Sequence, residues 1–263
     1  MVKIILNADD FGRSAERNRA IDDCFKQGLI TSAGLIITGK YLQNALSFID
    51  SGDYVEKIHL HVNLSTSLRD EDPEDIPLTE AMRKDSFFCK DGKFKKYKGL
   101  PHRLSDIRKW RIVYQEMVAQ YEKFKEVTKG KADYKHIDFH LWYNLTWPVS
   151  MALRRFTRNI GIESVRYIGM HQVTNRKFKL YWKLSQSPKV TYVPSTNIDF
   201  YLSKNNLFLN YDTVELYCHP HYKENVFLDD SPSYLKHNRQ PMLKQLQLLN
   251  DHGVSKFISW KDI

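Results

Sequence analysis

Cysteine is scarce in this 263-residue chain. Its three copies, Cys24, Cys89 and Cys218, are odd in number and show no CxxC or other metal-ligand spacing. That pattern suits a reducing compartment better than a disulfide-stapled secreted scaffold. Long hydrophobic runs are missing too. The opening segment MVKIILNADDFG turns polar too soon for a secretion signal or a membrane span. The expectation is a cytoplasmic protein with no membrane partner, in which the sequons at Asn63 and Asn144 have no consequence. Repeats and linker-like stretches are absent, which predicts one domain over residues 1–263. No recognition motif for nucleic acid accompanies the net charge of +9, so none is expected as a partner. The Lys and Arg residues are spread out, with one denser stretch at Lys84–Arg103. Gly92, Gly99 and Pro101 within it indicate a loop, solvated or touching the substrate.

What is present is enough for one enzyme-sized core. Hydrophobic residues make up 42% and aromatics 13%, and charged residues at 27% argue against disorder. The length is that of a single α/β barrel. Val2–Leu6 reads as a buried parallel strand, Ser14–Gln27 as a helix stopped by Gly28, Ile30–Thr38 as a strand and Tyr41–Ile49 as a helix. Lys57–Leu64 is a third strand. Residues 68–104 break the rhythm as an inserted loop region over the barrel mouth, with a short helix at Leu78–Lys84. A long helix over Ser105–Lys129, capped by Ser105, follows. Strands at His136–His140, Glu163–Ile168, Val190–Pro194, Thr213–His219 and Lys256–Ser259 then alternate with helices at Pro148–Asn159, Lys177–Leu184 and Ser233–Asp251. The pattern predicts an α/β fold, a single distorted (β/α) barrel of seven or eight parallel strands, with a doubly wound sheet as the alternative. In either fold the chemistry belongs at the C-terminal ends of the strands.

Polar residues gather at those ends. Asp9 and Asp10 close the first strand, His59 and His61 fall late in the third, and His136, Asp138 and His140 form an HxDxH run on the fourth. Arg166 is on the fifth, and His219 ends a later strand in the run CHPH. Alternation puts His136, Asp138 and His140 on one face of their strand, and His59 and His61 on one face of theirs. Burying three such side chains on one face costs several kcal/mol unless something satisfies them. A bound cation does so economically, because imidazole and carboxylate are its natural ligands.

Longer stretches carry a resemblance. NADDFG at Asn7–Gly12, HVNLS at His61–Ser65, HIDFH at His136–His140, VELYCHPHY at Val214–Tyr222 and the tail LLNDHGVSKFISWKDI resemble the YdjC-like carbohydrate deacetylase family. That family includes chitooligosaccharide deacetylases and is related in mechanism to NodB-type polysaccharide deacetylases. The resemblance implies a distorted barrel, one divalent metal ion (Mg2+ or Zn2+) and a small N-acetylated sugar or oligosaccharide as partner. By position it implies Asp10, His61 and His140 as metal ligands, Asp9 as general base, Arg166 as the group orienting that base, and His219 as general acid. Asp138 and His136 are candidate outer partners of the ligand histidines. Trp142, Phe11 and Asn63 are candidate sugar contacts. Two positions depart from the family: His59, where Gly is common, and Trp142, where a further histidine is common. The rival readings are an amidohydrolase- or phosphoesterase-type metal hydrolase and a non-catalytic sugar-binding scaffold. Exposed loop aromatics make a homodimer credible.

Overall fold

A computed structural model describes residues 2–66, 75–95, 108–140, 146–168, 176–223, 226–229, 242–252, 254 and 256–263. The chain runs β1 (Lys3–Phe11), α1 (Ala15–Lys26), β2 (Ser32–Leu35), α2 (Leu42–Ser51) and β3 (Ile58–Val62). After α3 (Glu80–Lys84) and a small hairpin, β4 (Cys89–Lys90) with β5 (Lys93–Phe94), come α4 (Trp110–Val127) and β6 (Asp133–Phe139). Then follow α5 (Trp147–Ile160), β7 (Ser164–Ile168), α6 (Arg176–Ser185), β8 (Thr191–Asn197) and α7 (Ile198–Lys204). The last elements are β9 (Thr213–Cys218), the strands β10 (Pro220–Lys223) and β11 (Val226–Asp229), and α8 (Met242–Asp251). Strands β1, β2, β3, β6, β7, β8 and β9 close into a barrel in that order, all parallel, with β9 returning to β1. This is the (β/α) barrel that the alternating pattern predicts.

Local chemistry sets the helix ends. Ser14 caps α1 by accepting from the backbone N–H of Arg17 at 3.1 Å, and Asn197 caps α7 by accepting from Phe200 at 2.7 Å. The main core lies between barrel and helices, with Phe11, Ile21, Leu35, Phe124 and Phe156 among its fully buried members. Residues 75–79 are tied to α4 by Glu116, a wholly buried carboxylate. It accepts from the backbone N–H of Leu78 at 2.9 Å and from the N–H and hydroxyl of Thr79 at 2.8 and 2.7 Å.

Three expectations change. The first strand continues to Phe11 instead of stopping at Leu6, because Asn7 and Asp9 belong to a polar barrel interior and do not terminate the strand. Lys256–Ser259 forms only a single parallel bridge, Phe257 against Ile4, because β9 and β2 take the two edges of β1. Helix α4 begins at Trp110; Ser105, its expected cap, lies outside the described residues, as does Ser233. The β10–β11 hairpin and α7 had no counterpart in the sequence pattern.

The barrel interior is layered. At its N-terminal end Ile5, Val193 and Trp260 form an apolar floor. The Trp260 indole stacks on His136 with ring centroids 3.2 Å apart and meets the edge of His59 at 6.3 Å. Above those histidines lie Asp138, Arg166 and Glu215, all buried. The strand ends above them carry the candidate site.

Candidate active site

Strict alternation would send Asp9 and Asp10 to opposite faces of β1. The pairing of β1 with β2 slips between Ala8 and Phe11, and Asp10 adopts a left-handed backbone with φ of 71°. This bulge turns both carboxylates toward the barrel mouth and returns Phe11 to the core. A non-glycine residue in that region is strained and persists only where its surroundings hold it. Here the next turn is clamped. The N–H of Gly12 donates to the buried Asn18 side chain at 2.7 Å, and the carbonyl of Gly12 accepts from Tyr41 at 3.0 Å. A Cβ on Gly39 would stand 2.4 Å from that same carbonyl oxygen, so the approach requires glycine.

Three strands deliver the candidate ligands. Asp10 Oδ1 lies 2.8 Å from Nδ1 of His140 and 3.4 Å from Nε2 of His61. Donor atoms of Asp10, His61 and His140 all fall within 4.8 Å of one another, and all three residues are buried. His61 is aimed by the carboxylate beneath it, since Asp138 Oδ1 stands 2.6 Å from its Nδ1. The same register pairs His61 with Asp138 across β3 and β6. The Nε2 of His61 is buried and has no hydrogen-bonding partner among the described residues.

Arg166 is the hub of the carboxylates. Its Nη1 and Nη2 donate to the two oxygens of Asp9 at 2.6 and 2.5 Å, and its Nε and Nη2 donate to Glu215 at 2.7 and 2.6 Å. The same Nη2 lies 2.7 Å from Asp138 Oδ2. Such forked pairing fixes orientation as well as charge. His219, on the rim just past β9, places Nε2 3.8 Å from Asp9 and 4.0 Å from Asp10, and its side chain remains 19% accessible.

Charge follows from this geometry. Burial opposes ionisation of Asp9, Asp10 and Asp138, yet all three are held below the usual carboxylate range. Arg166 does this for Asp9 and Asp138, and the imidazoles of His140 and His61 for Asp10. Burial also opposes a charged His61, but Asp138 and Asp10 raise it to about 10. His140 and His136 are shifted down by burial. Glu215 is pushed up by burial despite Arg166.

Asp9, Asp10, His61, Asp138, His140, Arg166 and His219 are thus brought together as the sequence reading grouped them. Others are not. Phe11 is wholly buried in the core and has no face for a sugar. Asn63 is also wholly buried. Its amide is used by Thr38 at 3.0 Å and the N–H of Ser65 at 3.2 Å, and its backbone by Gln120, so it braces the mouth from behind. His136 reaches Ser164 at 3.1 Å and His59, not the candidate ligands His61 and His140, so it is a floor residue. Trp142 lies outside the described residues. His59 sits below the site with Nε2 3.1 Å from Asp138 Oδ2. Glu215 was missed; the only sign was an acidic residue inside the apolar run VELYC. Arg13 was missed as well. Its Nη1 is 3.4 Å from both Asp75 and Nε2 of His140, linking the inserted region to the site.

The fold and site define a parallel (β/α) barrel with a buried carboxylate–imidazole cluster at the C-terminal mouth, the position used by barrel enzymes. The chain matches the YdjC-like protein family over residues 3–259, and it belongs to that family. It is similar to carbohydrate deacetylase 2 of Listeria innocua, 29% identical over 272 residues, with 100% of this chain and 99% of that one covered. It is also similar to a carbohydrate deacetylase of Clostridium beijerinckii, at 27% identity over 100% of this chain and 97% of that one. Among solved structures, a candidate cellobiose-phosphate cleavage protein from Enterococcus faecalis V583 superposes with a TM-score of 0.68. That match has 18% identity and covers 99% of this chain and 98% of that one, a likeness of fold.

Proposed function

We propose that the chain, acting as one catalytic unit over residues 1–263, is a metal-dependent hydrolase that removes the acetyl group from an N-acetylated sugar. The observation carrying this reading is the convergence of Asp10, His61 and His140 on one point of the barrel mouth, with Asp9 beside them. The names of the full-length bacterial relatives support the substrate class.

The residues fit a divalent cation. The buried Nε2 of His61 lacks a partner among the described residues and lies near an oxygen of Asp10. Three buried carboxylates, Asp9, Asp138 and Glu215, surround the buried guanidinium of Arg166, and a fourth, Asp10, lies against His61 and His140. A protonated His61 offsets part of the excess, and a cation would offset more. Asp10, His61 and His140 would hold it. One carboxylate with two imidazoles suits Zn2+ better than Mg2+, which prefers oxygen ligands and water. When bound, such an ion supplies Lewis acidity, lowering the pKa of water and drawing off the negative charge that grows on the acetyl oxygen.

The chain's own groups do the rest. Asp9, ionised and oriented by Arg166, accepts the proton of the attacking water. His219, on the more open rim, gives a proton to the amide nitrogen as the carbon–nitrogen bond breaks. Acetate and a free amino sugar leave. The test is acetate release from N,N′-diacetylchitobiose and related acetylated sugars, with chelator and after restoring Zn2+ or Mg2+. Chelation abolishes release and one of the metals restores it. Release indifferent to chelation rejects the metal, and no release from any acetylated sugar rejects the reaction.

A further inference from the structure

The positive charge of this protein is gathered on one side of the barrel. Residues 139–198 hold nine Lys or Arg and a single acidic residue, Glu163. Everywhere else 31 basic residues meet 30 acidic ones, so this segment carries nearly all of the net +9. The dense stretch Lys84–Arg103 does not account for it, because Asp70, Glu71, Asp72, Glu74, Asp75 and Glu80 precede and nearly balance it.

The fold concentrates these charges further. Of the nine, Arg166 is consumed inside the site, and Lys177 has a side chain outside the described set. The other seven, Arg154, Arg155, Arg158, Arg176, Lys179, Lys183 and Lys189, are all exposed. None of the seven forms an ion pair among the described residues, whereas Glu163 is occupied by Lys135 at 2.8 Å. Three of them lie on α5, opposite its buried Val149, Ala152, Leu153 and Phe156. Arg176, Lys179 and Lys183 share one stripe of α6 with Leu180, at the spacing that puts four residues on one helical face. Leu180 is 54% exposed in the middle of that stripe. The two helices are fixed to each other and to the barrel. They pack along their lengths, Thr157 of α5 meets Ser187 just past the end of α6 at 3.1 Å, and Trp182 of α6 stacks on Tyr167 of β7 with centroids 5.0 Å apart.

We propose that the α5–α6 face is a peripheral docking surface for an anionic lipid bilayer. Unpaired cations on a rigid surface favour a densely anionic partner. The exposed leucine flanked by cations favours a bilayer over a nucleic acid, because it gives the face an apolar residue to bury among acyl chains while Lys and Arg meet the headgroups. Peripheral adsorption requires no spanning helix, and none among the described residues is long and apolar enough to cross a membrane.

The test is co-sedimentation of the full chain with vesicles of phosphatidylglycerol and phosphatidylcholine, against pure phosphatidylcholine, at low and high salt. Each basic residue near an anionic surface strengthens adsorption about fivefold. Lys179→Glu with Lys183→Glu is therefore expected to weaken binding about tenfold or more. Lys90→Glu with Lys131→Glu makes the same change of net charge elsewhere and should weaken it less than about twofold. Leu180→Ser should remove the part of the binding that survives high salt. Circular dichroism confirms that each variant is folded. Equal loss in both charge pairs, no preference for anionic vesicles, or indifference to Leu180→Ser overturns the proposal. So does tighter binding to a duplex oligonucleotide than to vesicles. Deacetylase activity plays no part in this readout.

Discussion

Asp138 accepts a hydrogen bond from Nδ1 of His61 at 2.6 Å, and that contact decides which imidazole nitrogen faces Asp10. An ionised carboxylate only accepts, so Nδ1 keeps its hydrogen, and it is Nε2 that gives up the imidazolium proton and supplies a lone pair when a metal binds. Asp138→Asn presents either an oxygen or an amide NH2 to that nitrogen and loses the preference. Metal affinity, measured by competition with a chromogenic chelator, is expected to fall about 10- to 100-fold with the fold retained. Unchanged affinity would remove Asp138 from the site's construction.

Asp9 and Asp10 are neighbours in sequence but have different partners. Asp10 faces His140 and His61, whereas Asp9 is gripped by Arg166. Asp10→Asn is expected to lose the metal. Asp9→Asn is expected to keep it and still to lose turnover by about 100-fold or more, the scale of a removed general base. Equal metal content in the two purified variants contradicts this division.

Glu215 is a counter-ion for Arg166 and touches neither proposed ligand histidine. Removing one partner from a buried charge network costs about 3–5 kcal/mol. Glu215→Ala should therefore lower the melting temperature by on the order of 10 °C. Glu215→Gln keeps an acceptor for the guanidinium and should lose less. A Glu215→Ala protein that melts with the wild type would show that Arg166 is held by Asp9 and Asp138 alone.

Two buried histidines give the stability opposite pH limbs. Burial, reinforced by His59, shifts His136 down. Its stabilisation is complete above the ordinary pKa of about 6.5 and is lost as pH falls below that value. His61 is raised to about 10. Its contribution is complete below about 6.5 and is lost as pH climbs through its folded value. Urea midpoints of the metal-free protein should therefore peak near neutrality and decline on both sides. His136→Gln should make the acid limb shallower, the remainder belonging to His140, which burial also shifts down, and should leave the alkaline limb unchanged. Adding metal should flatten the alkaline limb, because coordination needs His61 without its proton. A midpoint that does not change between about pH 5 and about pH 9 contradicts both assignments.

The candidate site was largely legible because its residues carry strong local signals. The HxDxH run on one strand, paired aspartates at the end of another and CHPH past a third each stand out without knowledge of the fold. Glu215 did not, because its meaning comes from Arg166, 49 positions away, through a barrel closure that no local pattern encodes. Phe11 misled for a related reason. An aromatic beside the paired aspartates of a candidate site suggests a sugar platform, but the bulge that turns Asp10 outward sends the next side chain back into the core. Asn63 looked available in its segment and is in fact spent on Thr38, Ser65 and Gln120.

The fold was legible in its alternation and less so at its margins. Strand β1 seemed to end where polar residues begin, because a hydrophobic barrel interior is the usual assumption. Here the interior turns polar above the first layer, so polarity marks depth in the barrel and not the end of the strand. Helix α7 and the β10–β11 hairpin are short and stabilised by contacts with other elements, such as Tyr222 donating to Asp23 of α1 at 2.8 Å. Nothing in their own composition announces them.

The stopper made by Ile5, Val193 and Trp260 also has an electrical effect. It backs the ionised cluster with low-polarisability material, so the field of the excess carboxylates escapes toward solvent through the mouth. A dissolved cation is drawn in from that direction, and its capture rate should fall steeply with ionic strength.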